Sequence, residues 1–283
     1  YSLYNTIDYS NLNKMTVLDN KWISHHFGIT NLGNVCFINS IVQFLFSSPY
    51  FNQIIFNDES DNLMRKILRI ISKHVIDKPD IVISYKTAQI VCQILKIDYN
   101  MQNDMMEFFA KMLELINDKN ITNLYKNVYD CFLICKYCGF KKKIADEENL
   151  FIQLNNSEID EEDILKQSID VDGIKCDKCK SDKMIKKNIL SFLPANMIFV
   201  HDMNINHIIK NRLCFNLSSG KYCYVLVSIT EFFGKNNYGH YTTINQRKMG
   251  IFKINDQMIH KVESFDSNNI YASLYVLDTI EVY

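Results

Sequence analysis

Residues 28–45 read GITNLGNVCFINSIVQFL. A polar, turn-forming stretch hands over at Cys36 to a run whose apolar residues Ile41, Val42, Phe44 and Leu45, with Phe46, cover much of a helix circumference. That pattern predicts a helix over 39–48, buried on most sides and ended by Pro49. Cys36 then stands where loop becomes helix. The thiolate is the reactive form of cysteine, and a helix N-terminus lowers a thiol's pKa through its unpaired N–H groups and dipole. Gly28 and Gly33 permit tight turns and close approach of a substrate backbone. Asn31, upstream, can aim its amide N–H at a developing oxyanion. A small buried residue opening a core helix accounts for Cys36 just as well, so the rest of the chain has to decide.

Outward from this stretch the first part of the chain reads as helical. Residues 61–75 place Leu63, Ile67, Ile70 and Ile71 on one face, a shorter helix is predicted near 87–96, and 102–118 carries the stripe Met105, Phe109, Met112 and Ile116. Asn103 is the expected N-cap of that last helix, with Asp104 and Glu107 in its first turn. After about residue 120 the pattern changes. Segments 151–154, 188–192, 197–202, 222–230, 240–246, 250–255 and 272–282 read as strands, and 161–169 as a helix among them. Helices first and strands after predict an α+β fold.

The chain has 283 residues, enough for a sizeable core, and 47% hydrophobic with 22% charged residues is an ordinary globular composition. A formal net charge of -1 gives no bulk attraction to nucleic acid or to an anionic membrane surface. No stretch reaches the roughly 18 to 20 apolar residues of a membrane span. The opening YSLYNTIDYS lacks a basic n-region and an apolar h-region, so no signal peptide is expected there. A cytoplasmic or nuclear location is the expectation.

Nine cysteines make an odd set. Cys135 with Cys138 and Cys176 with Cys179 form two C-x-x-C knuckles, each a tight turn presenting two thiolates. Together they suit one tetrahedral, closed and therefore structural zinc. Cys131, nearby, is a candidate spare ligand. A disulfide framework is unusual in a chain with this much core, and a reducing compartment fits better. Lysines 141–143, 175, 178, 180, 183, 186 and 187 crowd the same region. A zinc ribbon that binds nucleic acid is one reading of them. A solvated strand face, balanced by the acids between Glu158 and Asp163, is the other, and the lack of interleaved aromatic residues favours it.

A cysteine nucleophile needs a base. Of seven histidines, His240 follows a strand-like run and a Gly-containing loop, and Gly239 before it leaves room for a substrate. The cysteine segment, the Q-N-D-M-M-E-F segment at 102–108, Y-V-L-V-S-I at 224–229 followed by G-H-Y-T-T at 239–243, K-I-N-D-Q-M-I at 253–259 and S-L-Y-V-L-D at 273–278 together resemble the ubiquitin-specific proteases. They occur in that family's order and span nearly the whole chain.

The resemblance implies a papain-like cysteine peptidase with a hand architecture: a helical thumb over about 28–125, zinc-bearing fingers over about 126–200 and a β-sheet palm over about 200–283. Residues 1–27 would be an irregular lead-in. It implies Cys36 as nucleophile, His240 as general base, Asn255 as the group orienting the histidine with Asp256 as neighbour or substitute, and Asn31 as oxyanion donor. Asp104 and Glu107 would meet the arginines near ubiquitin's C-terminus, and Gly239 and Tyr241 would flank the bound tail. The four knuckle cysteines would hold one structural zinc, with no catalytic cofactor. The implied partners are ubiquitin or a ubiquitin-like modifier and the proteins that carry it, with no nucleic acid, no membrane and a monomeric chain. A catalytically silent ubiquitin-binding module is the rival reading. The chain departs from the family at His201–Asn204, where Leu-Lys-Arg-Phe is usual, and at Glu231–Gly234, where a His-Ser-Gly turn is common.

Overall fold

The computed structural model describes residues 21–94, 96, 98, 101–235 and 238–282. Most of the expected lead-in lies outside them. From Trp22 on, however, the segment is fastened: Asn52 Nδ2 donates to the Trp22 carbonyl at 2.7 Å and Ser24 Oγ to the Phe46 carbonyl at 2.9 Å.

The helical part begins after a short strand, β1 (Phe27–Ile29), which pairs in parallel with β2 (Ile81–Ile83). Between them stand α1 (Cys36–Leu45), α2 (Pro49–Phe56) and α3 (Leu63–Asp77). Pro49 opens a helix rather than only closing one. Its missing N–H costs nothing in a first turn, and Ser48 caps that turn by accepting from the Phe51 N–H. The buried stripe of α3 is Met64, Ile67, Leu68, Ile71 and Val75, so Leu63 and Ile70 of the expected stripe face solvent. Then follow α4 (Tyr85–Ile94), α5 (Met105–Ile116) and α6 (Lys119–Asn123). Asp104, not Asn103, caps α5: its Oδ1 accepts from the N–H groups of Met106 and Glu107 at 2.8 and 2.9 Å.

The fingers are a five-stranded sheet in the order β4-β3-β8-β7, with β5 also on β3. Its strands are β3 (Asn127–Cys135), β4 (Lys141–Lys143), β5 (Glu147–Asn149), β7 (Lys166–Val171) and β8 (Met184–Phe192). The expected helix over 161–169 is only one turn, α7 (Glu161–Leu165), before the chain turns into β7. The palm is an eight-stranded sheet built from β6 (Ile152–Leu154), β9 (Asn196–His201), β10 (Arg212–Leu217), β11 (Gly220–Lys235), β12 (Tyr238–Arg247), β13 (Gly250–Asn255), β14 (Met258–Val262) and β15 (Ile270–Val282). Its order is β14-β13-β12-β11-β15-β9-β6, with β10 on β11. Cys214 and Cys223 face each other across the β10–β11 ladder and form a disulfide, where all cysteines outside the knuckles were expected reduced. The two-residue turn between those strands brings the pair into register, which nothing in their spacing announces.

The main core lies where the helices pack on the palm. Phe27, Phe37, Phe44, Phe46, Phe51 and Phe109 meet Ala272, Leu274 and Val276 of β15 there, all fully buried. Each large side chain so buried contributes about 1.5–3 kcal/mol. A buried cation joins the same two layers. The Arg247 guanidinium, at the end of β12, donates to the Gln43 carbonyl at 2.8 Å, to Gln43 Oε1 at 2.9 Å and to Ser47 Oγ at 2.6 Å. It thus sits at the C-terminal, electronegative end of α1, where a helix favours a cation. Helix α1 and strand β12 are the elements that carry Cys36 and His240.

Candidate active site

Cys36 is the first residue of α1 and is 3% exposed. The residue before it, Val35, makes no side-chain cap, and the first turn holds no acid. The Cys36 and Phe37 N–H groups are therefore not consumed by a cap and remain free for a negative charge, whereas the Ile38 N–H donates to the Val35 carbonyl at 3.0 Å.

His240 lies on β12 opposite Phe233 of β11, beside the Cys36 thiol. Asn255, the last residue of β13, places Oδ1 2.7 Å from His240 Nε2. A carbonyl oxygen only accepts, so Nε2 carries a proton and Nδ1 is the ring nitrogen left for the thiol. The His240 pKa is raised to about 9, first by the Cys36 hydrogen bond and then by Asn255, with Asp256 adding an attractive charge, against the opposing effect of burial. The imidazole is thus held as imidazolium at neutral pH.

Asp256 is not a second orienting group of equal standing. Its Oδ2 is 3.9 Å from Nε2, and its carboxylate serves two amides instead. Asn31 Nδ2 donates to Oδ2 at 2.8 Å, and Asn39 Nδ2 to Oδ1 at 2.7 Å. Asp256 opens the β13–β14 turn at φ 52, a left-handed conformation that Asp tolerates better than most residues. Its carbonyl accepts from the Ile29 N–H at 3.0 Å. Here is the reason for Gly28: a Cβ at that position would stand 2.9 Å from Gln257 Cα and its carbonyl oxygen. The glycine admits the protein's own turn.

Asn31 has one amide hydrogen on Asp256, and its Oδ1 accepts from the Gly33 N–H at 2.9 Å, so the group is locked with its second N–H unspent. Asn39 was not singled out from the sequence. The signal was there: a polar residue one turn after Cys36, inside a helix buried on all sides.

The remaining expected site residues divide. Gly239 and His240 are half-buried, whereas Tyr241 is 5% exposed and packs on Phe232 and Tyr271 at 4.7 and 5.3 Å between ring centroids. Asp104 has both oxygens engaged, one on the cap and one accepting from the Tyr271 hydroxyl at 2.5 Å. Glu107 is exposed. In the two segments that depart from the family pattern the first residue turns inward, while Met203, Asn204, Phe233 and Gly234 are exposed. Glu231 is 2% exposed and takes hydrogen bonds from Thr242, Lys253 and Ser267. His201 is also buried and meets Ser273 Oγ at 2.8 Å, its pKa pushed down to about 3 by burial and then by His207.

At the far end of the fingers the four knuckle thiols converge, all within 4.8 Å of one another, with Cys135–Cys179 at 3.6 Å and Cys138–Cys176 at 3.7 Å. Sulfurs about 2.3 Å from a tetrahedral zinc are separated by about 3.8 Å, so the donor set and its spacing fit that ion. The knuckles repeat one geometry: the Gly139 N–H donates to the Cys135 carbonyl and the Lys180 N–H to the Cys176 carbonyl, both at 3.0 Å, with Gly139 and Lys180 at φ 70 and 61. Backbone N–H groups inside each knuckle, those of Cys138 and Cys179 first, lower the pKa of Cys135 to about 6 and also lower that of Cys176. Cys131 is not in this group; it is fully buried on β3. Three of the lysines that crowd this region are in ion pairs: Lys142 with Asp177, Lys143 with Asp130 and Asp146, and Lys186 with Glu147.

A thiol at a helix start, an imidazole polarised by an amide and an unspent amide donor form the kind of centre a papain-like thiol hydrolase uses, here on an α+β hand. The family model for ubiquitin carboxyl-terminal hydrolase matches residues 27–277, and the chain belongs to that family. Its function is that family's, deubiquitination. Among solved structures the chain is similar to the SAGA Ubp8/Sgf11/Sus1/Sgf73 DUB module bound to monoubiquitin, at 17% identity and TM-score 0.74 over 93% of this chain and 70% of that one. The same module bound to ubiquitin aldehyde gives 18% and 0.73 over 92% and 71%. A yeast SAGA DUB module gives 19% and 0.72 over 92% and 70%. No curated protein sequence matches. No helix among the described residues is long and apolar enough to cross a membrane.

Proposed function

We propose that the protein is a thiol-dependent hydrolase of the peptide or isopeptide bond that follows the C-terminal glycine of ubiquitin or a ubiquitin-like modifier. The observation that carries this reading is the Cys36–His240–Asn255 alignment across the thumb–palm cleft. His240 takes the Cys36 proton, giving a thiolate–imidazolium pair. The thiolate attacks the carbonyl carbon, and the carbonyl π pair moves to oxygen. That oxyanion meets the second Asn31 N–H and the free backbone N–H groups at the start of α1. As it collapses, the C–N bond breaks and His240 gives its proton to the leaving amine. The resulting thioester is hydrolysed by water, which His240 deprotonates.

Glu107, on the open face of α5, is the acid available to a basic ubiquitin tail, with Asp104 shaping the helix start beside it. The knuckles hold one structural zinc, which ties the β3–β4 and β7–β8 turns together at one end of the fingers sheet and takes no part in the reaction. The chain acts as a monomer in the cytoplasm or nucleus. Hydrolysis of a C-terminal ubiquitin–fluorophore amide tests the reading: turnover by the native chain and none by Cys36→Ala supports it, and equal turnover by both refutes it. Ubiquitin binding without turnover by the native chain would make it a silent binding module.

A further inference from the structure

Gln102 lies on the thumb just before the cap of α5, and its amide brackets a single residue of the opposite wall. Oε1 accepts from the Gly239 N–H at 2.9 Å, and Nε2 donates to the Gly239 carbonyl. The N–H and C=O of one strand residue point to the same side. At Gly239 that side is open, because β13 joins β12 only from Thr243 onward. The amide of Gln102 therefore takes the place of a neighbouring strand's peptide. The backbone is the one handle on this residue, since a Cβ at Gly239 would run into Phe232 Cζ and stand 2.8 Å from the Phe233 carbonyl oxygen. Two residues on, Asp104 accepts from Tyr271, whose ring packs on Tyr241 and Phe232. Both chain neighbours of His240 are thus fastened to one turn of the thumb.

We propose that Gln102 is a positioning residue: through the backbone of Gly239 it fixes His240 along the cleft relative to Cys36. This rests on reading Cys36 and His240 as nucleophile and base. The bracket is bidentate and spans the two layers that carry the reacting groups, so losing it leaves the β12 edge free to shift. A displacement of that kind slows chemistry more than it weakens binding.

Gln102→Met keeps the side chain's length and packing and loses both bonds; Gln102→Glu keeps the acceptor and loses the donor. With the whole chain and a ubiquitin–fluorophore substrate, Gln102→Met is expected to lower kcat about 10- to 100-fold with KM within about twofold of the native value. Gln102→Glu should fall between the two. The His240 titration, followed through its ring signal by NMR, should move to lower pH in Gln102→Met as the Cys36 contact loosens. An unchanged His240 titration overturns the proposal, whether or not the native chain turns over. So does a raised KM at constant kcat, which makes Gln102 a substrate contact, or a raised kcat, which makes it an obstruction. A lower melting temperature with kcat and titration unchanged reduces it to packing. A native chain with no turnover refutes the catalytic reading instead.

Discussion

Replacing Asn255 by alanine removes one acceptor from one charged donor, and its consequence can be worked through. The bond is 2.7 Å long, and the ring it holds, with its pKa raised to about 9, is imidazolium near neutrality. A hydrogen bond to a charged group is worth about 1.5–3 kcal/mol, so if that stabilisation is spent on holding the reactive ion pair, turnover falls about 10- to 150-fold. Losing Asn255 also removes one of the causes that raise the His240 pKa. The alkaline limb of the pH profile of kcat/KM, set near 9 in the native chain, should move toward lower pH. Asn255→Asp keeps an acceptor and should retain substantial activity. Asp256→Ala leaves the bond between the ring and Asn255 in place. It acts by freeing the Asn31 and Asn39 amides and by placing alanine at φ 52, so it should lower stability and turnover while moving the alkaline limb less. The assay is ubiquitin–fluorophore hydrolysis over pH 6 to about 10. If Asn255→Ala keeps both turnover and limb while Asp256→Ala shifts the limb, the orienting role belongs to Asp256 and the reasoning fails.

Other outcomes follow from the same coordinates. A raised folded pKa means that His240 stabilises the fold fully below its ordinary value near 6.5 and that this contribution is lost as pH rises through about 9. The drop in melting temperature on His240→Ala should therefore be larger at neutral pH than above 10; the reverse order would contradict the assignment. Arg247→Met should lower the urea-unfolding free energy by about 2–4 kcal/mol, because leaving buried acceptors on Gln43 and Ser47 unsatisfied outweighs the relief of a buried charge; unchanged or raised stability would show that the cation is dispensable. Native mass spectrometry should find one zinc per chain, with Cys176→Ser lowering both metal content and melting temperature; a metal-free native chain would refute the zinc site. Glu107→Lys should raise KM for ubiquitin substrates about two- to fivefold at constant kcat, the scale of one exposed ion pair, and an unchanged KM would leave the acid serving only its helix.

The elements that carry the site are legible in the sequence where they depend on local order, and hidden where distant segments meet; the roles of Cys36, His240 and Asn255 rest on the family resemblance. Cys36 at a helix start, the knuckle cysteines and the strands that carry His240 and Asn255 follow from turn residues and periodicity. Strand β3 was missed because it is buried unevenly along its length and shows no clean alternation. The one-turn helix α7 was overextended because its acidic N-cap signal is strong while β7 beyond it is mostly exposed. The task of Asp256 was out of reach for another reason. It joins Asn31 and Asn39 across more than 200 residues, and only the close passage of Gly28 over the β13–β14 turn brings them together. For Asp104 the sequence indicated an acid at the helix start but not the Tyr271 hydroxyl that occupies its second oxygen.

The central claim is that Cys36 is the nucleophile that attacks the C-terminal carbonyl of ubiquitin. The most direct measurement is reaction of the native chain with ubiquitin bearing a C-terminal propargylamide, read by intact mass and peptide mapping. The account predicts a single covalent adduct, carried on the peptide containing Cys36 and absent from Cys36→Ala and after prior alkylation. An adduct mapped to another cysteine, or a folded chain that binds the probe and forms no adduct, would contradict it.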